Sequence, residues 1–278
     1  MQNQVKPGFS EKIYDMYSKK PSRLWINMAI NLAVIAVLVW SGSALNYNGI
    51  AKKGAEVASG IFYGLVKPDA DLLFNLTSEG VPFMLLQTVA IAFLGTLFGG
   101  ILAVPFGFLA SSNIVPKPVA FVVRAFVLMI RTIPSIIWAL IWTRVTGPGA
   151  MCGVVTQSVC SIGMISKLYT TAIEDIDTKI LESLDAQGCT TFQKIRYGIL
   201  PQLTANFAST LIYRFDINIK DATILGIVGA GGIGTALMQV ILSRRWSMVG
   251  SFLLAMILLM LVIEYFSTTM RKRLAQGK

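Results

Sequence analysis

Charged and amide side chains within one apolar segment are the first candidates for chemistry in this chain. Arg214, Asp216, Asn218, Lys220 and Asp221 interrupt a stretch that is otherwise long and apolar. Asp216 and Lys220 are four residues apart, so they can pair on one helix face, and the other three lie on the neighbouring face. Because a charge at the centre of a bilayer is costly, we expect these side chains to face protein or water. They either hold helices together or line a polar path for an anion.

Two arginines and a proline form a second candidate group. Arg124 and Arg131 lie seven residues apart and therefore share one helix face. A guanidinium group matches an oxyanion through paired hydrogen bonds. A permanent anion trap would hinder release, so Arg131 either makes a weak contact with a passing anion or pairs helices. Pro134 removes a backbone hydrogen bond and predicts a kink in the same segment.

A glycine-rich segment, Gly229 to Gly234, contains the spacing G-x-G-x-x-G. That spacing binds a dinucleotide only when a strand precedes it, and here an apolar helix precedes it. We therefore expect Gly229, Gly231 and Gly232 to form a re-entrant turn that gives the backbone freedom near a gate, with simple close packing as the alternative.

Several kinds of active site are excluded by the residues that are missing. The chain has no histidine, and Cys152, Cys160 and Cys189 lack the spacing of metal ligands. It also lacks the G-x-x-x-x-G-K-S/T loop that holds ATP phosphates. We expect no catalytic residue, no metal and no cofactor, so any energy must come from a partner protein.

The elements that position these residues are membrane-spanning helices. The chain is 54% hydrophobic and 14% charged, outside the range of ordinary soluble domains. A span takes about 20 apolar residues. Six stretches qualify, at residues 24–45, 83–110, 118–142, 150–168, 203–225 and 246–268. The first could instead be a signal peptide ending at residues 42–44, but its polar leader is long for one.

Basic residues flank the first and last spans, which predicts the orientation. The net charge of +10 comes largely from Lys6, Lys12, Lys19, Lys20 and Arg23 before the first span, and from residues 271–278 after the last. By the positive-inside rule both termini lie in the cytoplasm. The same distribution excludes nucleic-acid binding, because no basic stripe with interleaved aromatics lies outside the membrane.

Two smaller features are predicted between the spans. Val57, Ile61 and Leu65 recur at helical spacing in the outer segment 46–81, which predicts a short helix at the membrane interface. Gly95 and Gly99 form a G-x-x-x-G pair, which lets two helix backbones approach closely.

One polar interruption, residues 171–202, carries too much charge to lie in lipid. Gly188 suits the left-handed residue that ends a helix, and Thr190 or Thr191 can cap the next helix. Pro201 suits the start of a membrane helix. The segment is therefore predicted to be a helical hairpin on the inner membrane face.

The spacing of Glu182, Gly188 and Pro201 resembles the EAA loop of ATP-binding-cassette importer permeases. It departs from that pattern at Ser183 and Leu184, where alanines are usual, and at Gly198, where isoleucine is usual. The resemblance implies that the loop fits a groove in a cytoplasmic ATPase. The residues implied to couple to the ATPase are Glu182, Asp185, Ala186, Gly188 and Pro201.

Three further blocks narrow the resemblance. RTIPSIIWAL at residues 131–140, SIGMISKLY at 161–169 and ATILGIVGAGGIG at 222–234 are similar to blocks of phosphonate-class permeases, including those for phosphite and hypophosphite. The similarity runs from about residue 83 to the C-terminus.

The resemblance implies an all-α integral membrane protein with six transmembrane helices and the type I importer, MetI-like permease fold. Residues 1–82 would hold the cytoplasmic N-terminus, the first helix and the outer segment, residues 83–268 the core with coupling loop 171–202, and residues 269–278 a basic cytoplasmic tail. The chain would be a transport subunit rather than an enzyme, in the bacterial inner membrane. Its implied partners are membrane lipid, an ATPase dimer, an extracytoplasmic binding protein and a second permease subunit. The translocation path would pass Arg131, Pro134, Arg214, Asp216, Lys220, Gly229, Gly231 and Gly232.

Two rival functions remain open. A permease for methionine or another amino acid would share the loop and the glycine-rich segment, but the blocks at 131–140 and 161–169 argue against it. An ion channel or proton-coupled carrier would use Arg214, Asp216 and Lys220 as a relay and would work without an ATPase.

Overall fold

The computed structural model describes residues 24–44 and 54–276, which form helices and turns with no strand among them. The predicted basic leader, together with Lys52, Lys53 and Lys278, lies outside the described residues. Chain contacts divide the protein into two units, Met1–Ala55 and Glu56–Lys278.

The described part of the first unit is dominated by α1, Leu24–Ser43. Its 20 residues carry no charge, and none of them is buried. At about 1.5 Å per residue the helix is about 30 Å long, which is the thickness of the hydrocarbon core of a bilayer. The first predicted span is therefore a helix of spanning length.

The second unit contains eleven further α-helices among the residues described. They are α2 (Gly54–Val66), α3 (Ala70–Phe74), α4 (Val81–Leu109), α5 (Lys117–Thr132), α6 (Ser135–Thr146), α7 (Ala150–Glu174), α8 (Thr178–Ala186), α9 (Thr191–Gln193), α10 (Leu200–Ile227), α11 (Ile233–Leu242) and α12 (Trp246–Ala275). A π-helical turn, Lys194–Ile199, joins α9 to α10.

Within the described ranges, α1, α4, α7 and α12 are each long and apolar enough to cross a membrane. α10 is also long, at 28 residues, but it carries the intramembrane charges. The predicted span at 118–142 is not one helix: α5 and α6 together are apolar enough, but they are bent by 86° at the break between them. Pro134 causes the break because it has no N–H, and the preceding Ile133 is extended, with φ −85° and ψ 122°.

α4 and α7 form the most extensive helix pair of the second unit. The two helices approach closely because the residues at their contact are small, as the G-x-x-x-G pair predicts. A Cβ atom added at Gly99 would lie 2.4 Å from the Cβ of Ser161 on α7, and one at Gly95 would lie 2.5 Å from the Cβ of Gln157. Neither position can hold a larger side chain without separating the helices.

The short helix predicted in the outer segment is α2. Val57, Ile61 and Leu65 are half-buried, and the adjacent Gly64 is buried against the first turn of α12. A Cβ atom at Gly64 would lie 1.9 Å from the carbonyl oxygen of Trp246. This side of α2 therefore packs against protein, and the predicted position of the helix at the membrane interface stays a prediction.

Candidate functional site

The polar interruption forms a short helix, α8, that is capped at both ends by its own neighbours. The Asp177 carboxylate accepts a hydrogen bond from the Lys179 N–H at 3.0 Å, which caps the N-terminus. At the C-terminus Gly188 has φ +74°, and its N–H donates to the Asp185 carbonyl at 2.9 Å. The left-handed glycine predicted from the sequence is confirmed.

The second half of the interruption continues directly into the membrane helix. Thr190, rather than Thr191, caps α9, and it forms a reciprocal capping box with Gln193. The π-helical turn then leads into α10 at Leu200, with Pro201 in the first turn. The expected hairpin therefore has one free helical arm, α8, and a second arm that is an extension of α10. We call residues 177–199 the coupling segment.

The coupling segment has an apolar inner face and a polar outer face. Leu181 is 8% exposed and packs in an apolar cluster, whereas Glu182, Asp185 and Ala186 are exposed. The Asp185 carboxylate forms an ion pair with Lys194 across the turn. Three of the five residues predicted to couple to an ATPase thus lie on one exposed surface.

The apolar cluster under this surface connects the segment to two membrane helices. Its buried members come from α4, α7, α8 and α10, together with Ile176 between α7 and α8 and Ile199 in the π-helical turn, and Leu181 is the member from α8. The rings of Tyr169 and Phe207 stack between α7 and α10, with centroids 4.0 Å apart. Side-chain packing thus joins α8 to the ends of α7 and α10.

Arg124 lies near the end of α7 that leads into the coupling segment. Its side chain is held by contacts within the protein. Its guanidinium pairs with Glu174, and its Nε donates to the Ala110 carbonyl at 2.7 Å. The backbone N–H of Ser112 donates to the same Glu174 carboxylate at 2.9 Å. These contacts give Arg124 a helix-pairing role. The two predicted roles, a weak substrate contact or helix pairing, belong to Arg131. Arg131 lies on the same helix face but has no such partner within residues 54–276.

The intramembrane polar residues separate into two groups on α10. Arg214 and Asn218 face inward and are 6% and 0% exposed. Arg214 Nε donates to Ser161 Oγ at 3.1 Å, and Asn218 Nδ2 donates to Ser161 Oγ at 2.9 Å and to Thr96 Oγ1 at 2.8 Å. These contacts tie α4, α7 and α10 together.

The second group faces α12. Lys220 Nζ donates to Asp216 at 3.1 Å, which confirms the predicted pair, and to Glu264 at 2.7 Å. Glu264 is not among the residues predicted from the sequence, although a single acidic residue within the apolar α12 is a visible signal. The side chains of Lys220 and Glu264 are about half exposed, at 46% and 52%, so this pair can meet water or a second protein surface.

The glycine-rich segment is a tight turn between α10 and α11, as predicted. Gly229, Gly231 and Gly232 all have positive φ angles. The Gly232 N–H donates to Gln87 Oε1 at 3.1 Å, and the Ile233 N–H donates to Thr88 Oγ1 at 2.9 Å. The N-terminus of α11 is thus occupied by side chains of α4.

The turn also contacts the segment before α7. The Gly149 N–H donates to the Gly229 carbonyl at 2.8 Å. We call residues 228–233 with residues 147–150 the glycine turn. Gln87 and Thr88 are not among the residues predicted from the sequence, because nothing in the local sequence indicates which distant backbone groups they bind.

The chain is similar to membrane transport proteins both in its sequence and in its fold. Residues 95–278 match the family of binding-protein-dependent transport system inner membrane components. The chain is 33% identical to the phosphite transport system permease protein PtxC of Stutzerimonas stutzeri, over 68% of this chain and 69% of that protein.

A second relative is the phosphate-import permease protein PhnE of Mycolicibacterium smegmatis. It is 33% identical over 77% of this chain, which spans only 40% of that protein's length. Among solved structures, an inward-facing conformation of the MetNI methionine ABC transporter superposes with a TM-score of 0.62 at 22% identity, over 70% of this chain and 95% of that one. At that identity the superposition shows a shared fold.

Proposed function

Because this chain belongs to the family of binding-protein-dependent transport system inner membrane components, we propose that it is the permease subunit of an ABC importer for a phosphorus oxyanion. The substrate class covers phosphonate, phosphite and hypophosphite. The chain is a transport subunit and not an enzyme, and ATP hydrolysis belongs to a separate subunit.

One observation carries the substrate class. The two relatives at 33% identity are named for phosphite and phosphate, whereas the methionine transporter structure is 22% identical. The coupling segment supports the mode of action, since it exposes Glu182, Asp185 and Ala186 on a helix whose other face packs on α7 and α10.

The proposed assembly has three partners besides lipid. A dimer of cytoplasmic ATPases receives the coupling segment, an extracytoplasmic binding protein delivers the substrate, and a second copy of this chain completes the path. Residues 83–268 form the proposed permease core, with residues 269–278 as a basic tail. The proposed location is the bacterial inner membrane, with both termini in the cytoplasm.

In the proposed mechanism, closure of the ATPases draws the two copies of α8 together. The cluster containing Ile176, Leu181 and Ile199 passes the movement to α7 and α10, which opens the path on the other side. The path is proposed to pass the half-exposed Lys220, and it includes Arg131, Pro134, Arg214, Asp216, Gly229, Gly231 and Gly232.

The coupling role is tested by Gly188→Arg in the full chain, co-purified with its ATPase. Arginine strains a backbone with φ +74° and puts bulk on the docking surface. We expect normal membrane insertion with loss of ATPase binding and of ATP-driven uptake. Gly147→Arg is the matched control, because Gly147 has φ +80° and similar open space but lies at the other end of α7. It should keep ATPase binding. Unchanged uptake by Gly188→Arg would refute the coupling role.

The substrate class is tested by uptake into vesicles that hold the whole transporter. Binding protein loaded with phosphite or a phosphonate should drive ATP-dependent uptake, and methionine should not. Uptake of methionine alone would favour the amino-acid permease. Transport by this chain without an ATPase would favour the channel or proton-coupled carrier.

A further inference from the structure

A cationic groove lies between α5 and α7, next to the coupling segment. Its cavity is about 200 Å³, several times the roughly 30 Å³ that one water molecule occupies in the liquid. The lining residues are Ala110, Arg124, Val127, Leu128, Arg131, Lys167 and Thr170. Three of these seven side chains are basic and none is acidic.

The packing of the two helices explains why the basic residues converge. α5 and α7 run antiparallel, because Arg124 pairs with Glu174 and the Arg131 side chain packs beside Gly163. Gly163 and Lys167 are one turn of α7 apart, or about 6 Å, so the Arg131 and Lys167 side chains line the same cavity. At the other end of the groove the charge of Arg124 is paired with Glu174.

The polar groups of the groove are not equally available. Arg124 is engaged by Glu174 and the Ala110 carbonyl. Thr170 Oγ1 donates its hydrogen bond within the protein, to Ser166 or Gly107. Arg131 and Lys167 have exposed side chains, and neither forms an ion pair or a side-chain hydrogen bond with any residue in the described part of the chain. Two positive charges thus face one cavity with no carboxylate between them.

The walls beside these charges are apolar. Val127 is buried, but Leu128 is 58% exposed, so the groove opens onto the apolar outer surface of α5. Two cations that line one cavity attract an anion, and a guanidinium with an ammonium group suits a tetrahedral oxyanion. Basic pockets between membrane helices near the cytoplasmic side bind anionic lipid head groups.

We propose that the groove formed by Arg131 and Lys167 binds a tetrahedral phosphorus oxyanion group. Two sources share this chemistry: the phosphate of an anionic phospholipid whose chains lie on Leu128, and a free phosphate-like ion. Occupation of the groove would brace α5 against α7 beside the coupling segment. The proposal rests on the proposed cytoplasmic position of this end of the chain. It places Arg131 in a groove that opens onto the exposed surface of α5, as an alternative to its proposed place on the translocation path.

The test uses the purified full chain in detergent with three probes, namely phosphatidylglycerol, phosphatidylcholine of the same acyl chains, and inorganic phosphate. Bound lipid is counted by native mass spectrometry. We expect the chain to retain phosphatidylglycerol about tenfold more tightly than phosphatidylcholine. If millimolar phosphate displaces the lipid, the groove also accepts the free ion; if it does not, the lipid is the sole ligand of the two.

The variant is Arg131→Gln with Lys167→Gln, and we expect it to lose the preference for phosphatidylglycerol. The matched control is Lys117→Gln with Arg144→Gln, which removes the same charge at two exposed basic residues on α5 and α6 outside the groove. If the double variant does not purify, Lys167→Gln alone should still reduce the preference. Equal retention of both lipids together with no phosphate binding by the unaltered chain would overturn the proposal, and so would equal loss in the groove variant and its control.

Discussion

The coupling segment and the glycine turn both depend on glycine in a left-handed conformation, but for different physical reasons. Gly188 has φ +74°, and an added Cβ atom would meet nothing within 4 Å. Gly231 has φ +79°, and an added Cβ atom would lie 2.7 Å from the backbone nitrogen of Ala150. The first glycine only ends a helix, whereas the second also lets two backbone segments touch.

The two regions also differ in how far along the chain their hydrogen-bond partners lie. The coupling segment is held by partners within a few residues, such as Asp177 with Lys179 and Thr190 with Gln193. The glycine turn is held by distant partners, with Thr88 bonding the Ile233 N–H. The coupling segment satisfies its hydrogen bonds with its own residues, so its outer face is free for a partner. The glycine turn, in contrast, is part of the packing of the fold.

The largest difference in stability is expected when one glycine in each region is replaced by alanine. Gly231→Ala combines backbone strain with overlap against Ala150, so we expect it to lower the free energy of unfolding by about 3 kcal/mol or more. Gly188→Ala adds the strain alone, about 1–2 kcal/mol. Thermal unfolding of the purified full chain in detergent measures the order. Equal losses of Tm in the two variants would show that the glycine turn is looser than its packing indicates.

A smaller difference in stability is expected between the loss of a buried hydrogen bond that caps a helix and the loss of an exposed one. Thr88 is fully buried, so Thr88→Val leaves the Ile233 N–H without a partner and should cost about 1–3 kcal/mol. Thr190→Val removes an exposed cap that water can replace and should cost about 1 kcal/mol or less. The two free energies of unfolding come from denaturant titration in mixed micelles. A larger loss for Thr190→Val than for Thr88→Val would contradict the comparison.

The smallest effect on stability is expected at the outer face of the coupling segment. Asp185→Asn breaks an ion pair with Lys194 in which the carboxylate is exposed, and such a pair is worth about 1 kcal/mol or less. We expect an unchanged Tm but ATPase binding weakened severalfold, measured by co-purification. Lys194→Gln breaks the same pair while keeping the carboxylate, so it is the control. If both variants bind the ATPase equally weakly, the ion pair matters and not a direct contact of Asp185.

The sequence predicted local features well where their causes are local. Gly188 ends α8 because only glycine adopts that φ without strain, and Asp216 pairs with Lys220 because helical spacing brings them together. Pro134 was predicted to kink a span, but the 86° bend between α5 and α6 exceeds a kink, because its size depends on what each half packs against. The coupling role of Glu182 and the path role of Arg214 stay predictions.

The sequence by itself determined the class of protein, the helices of spanning length and the polar interruption. These features depend only on how long each apolar stretch is and on where the charged residues lie. The tertiary structure alone decided the long-range partners: Arg124 with Glu174, Lys220 with Glu264, and Ile233 with Thr88. It also decided that Arg131 and Lys167 share a groove. These pairs depend on which helices pack together and at what height, and no local spacing records that choice.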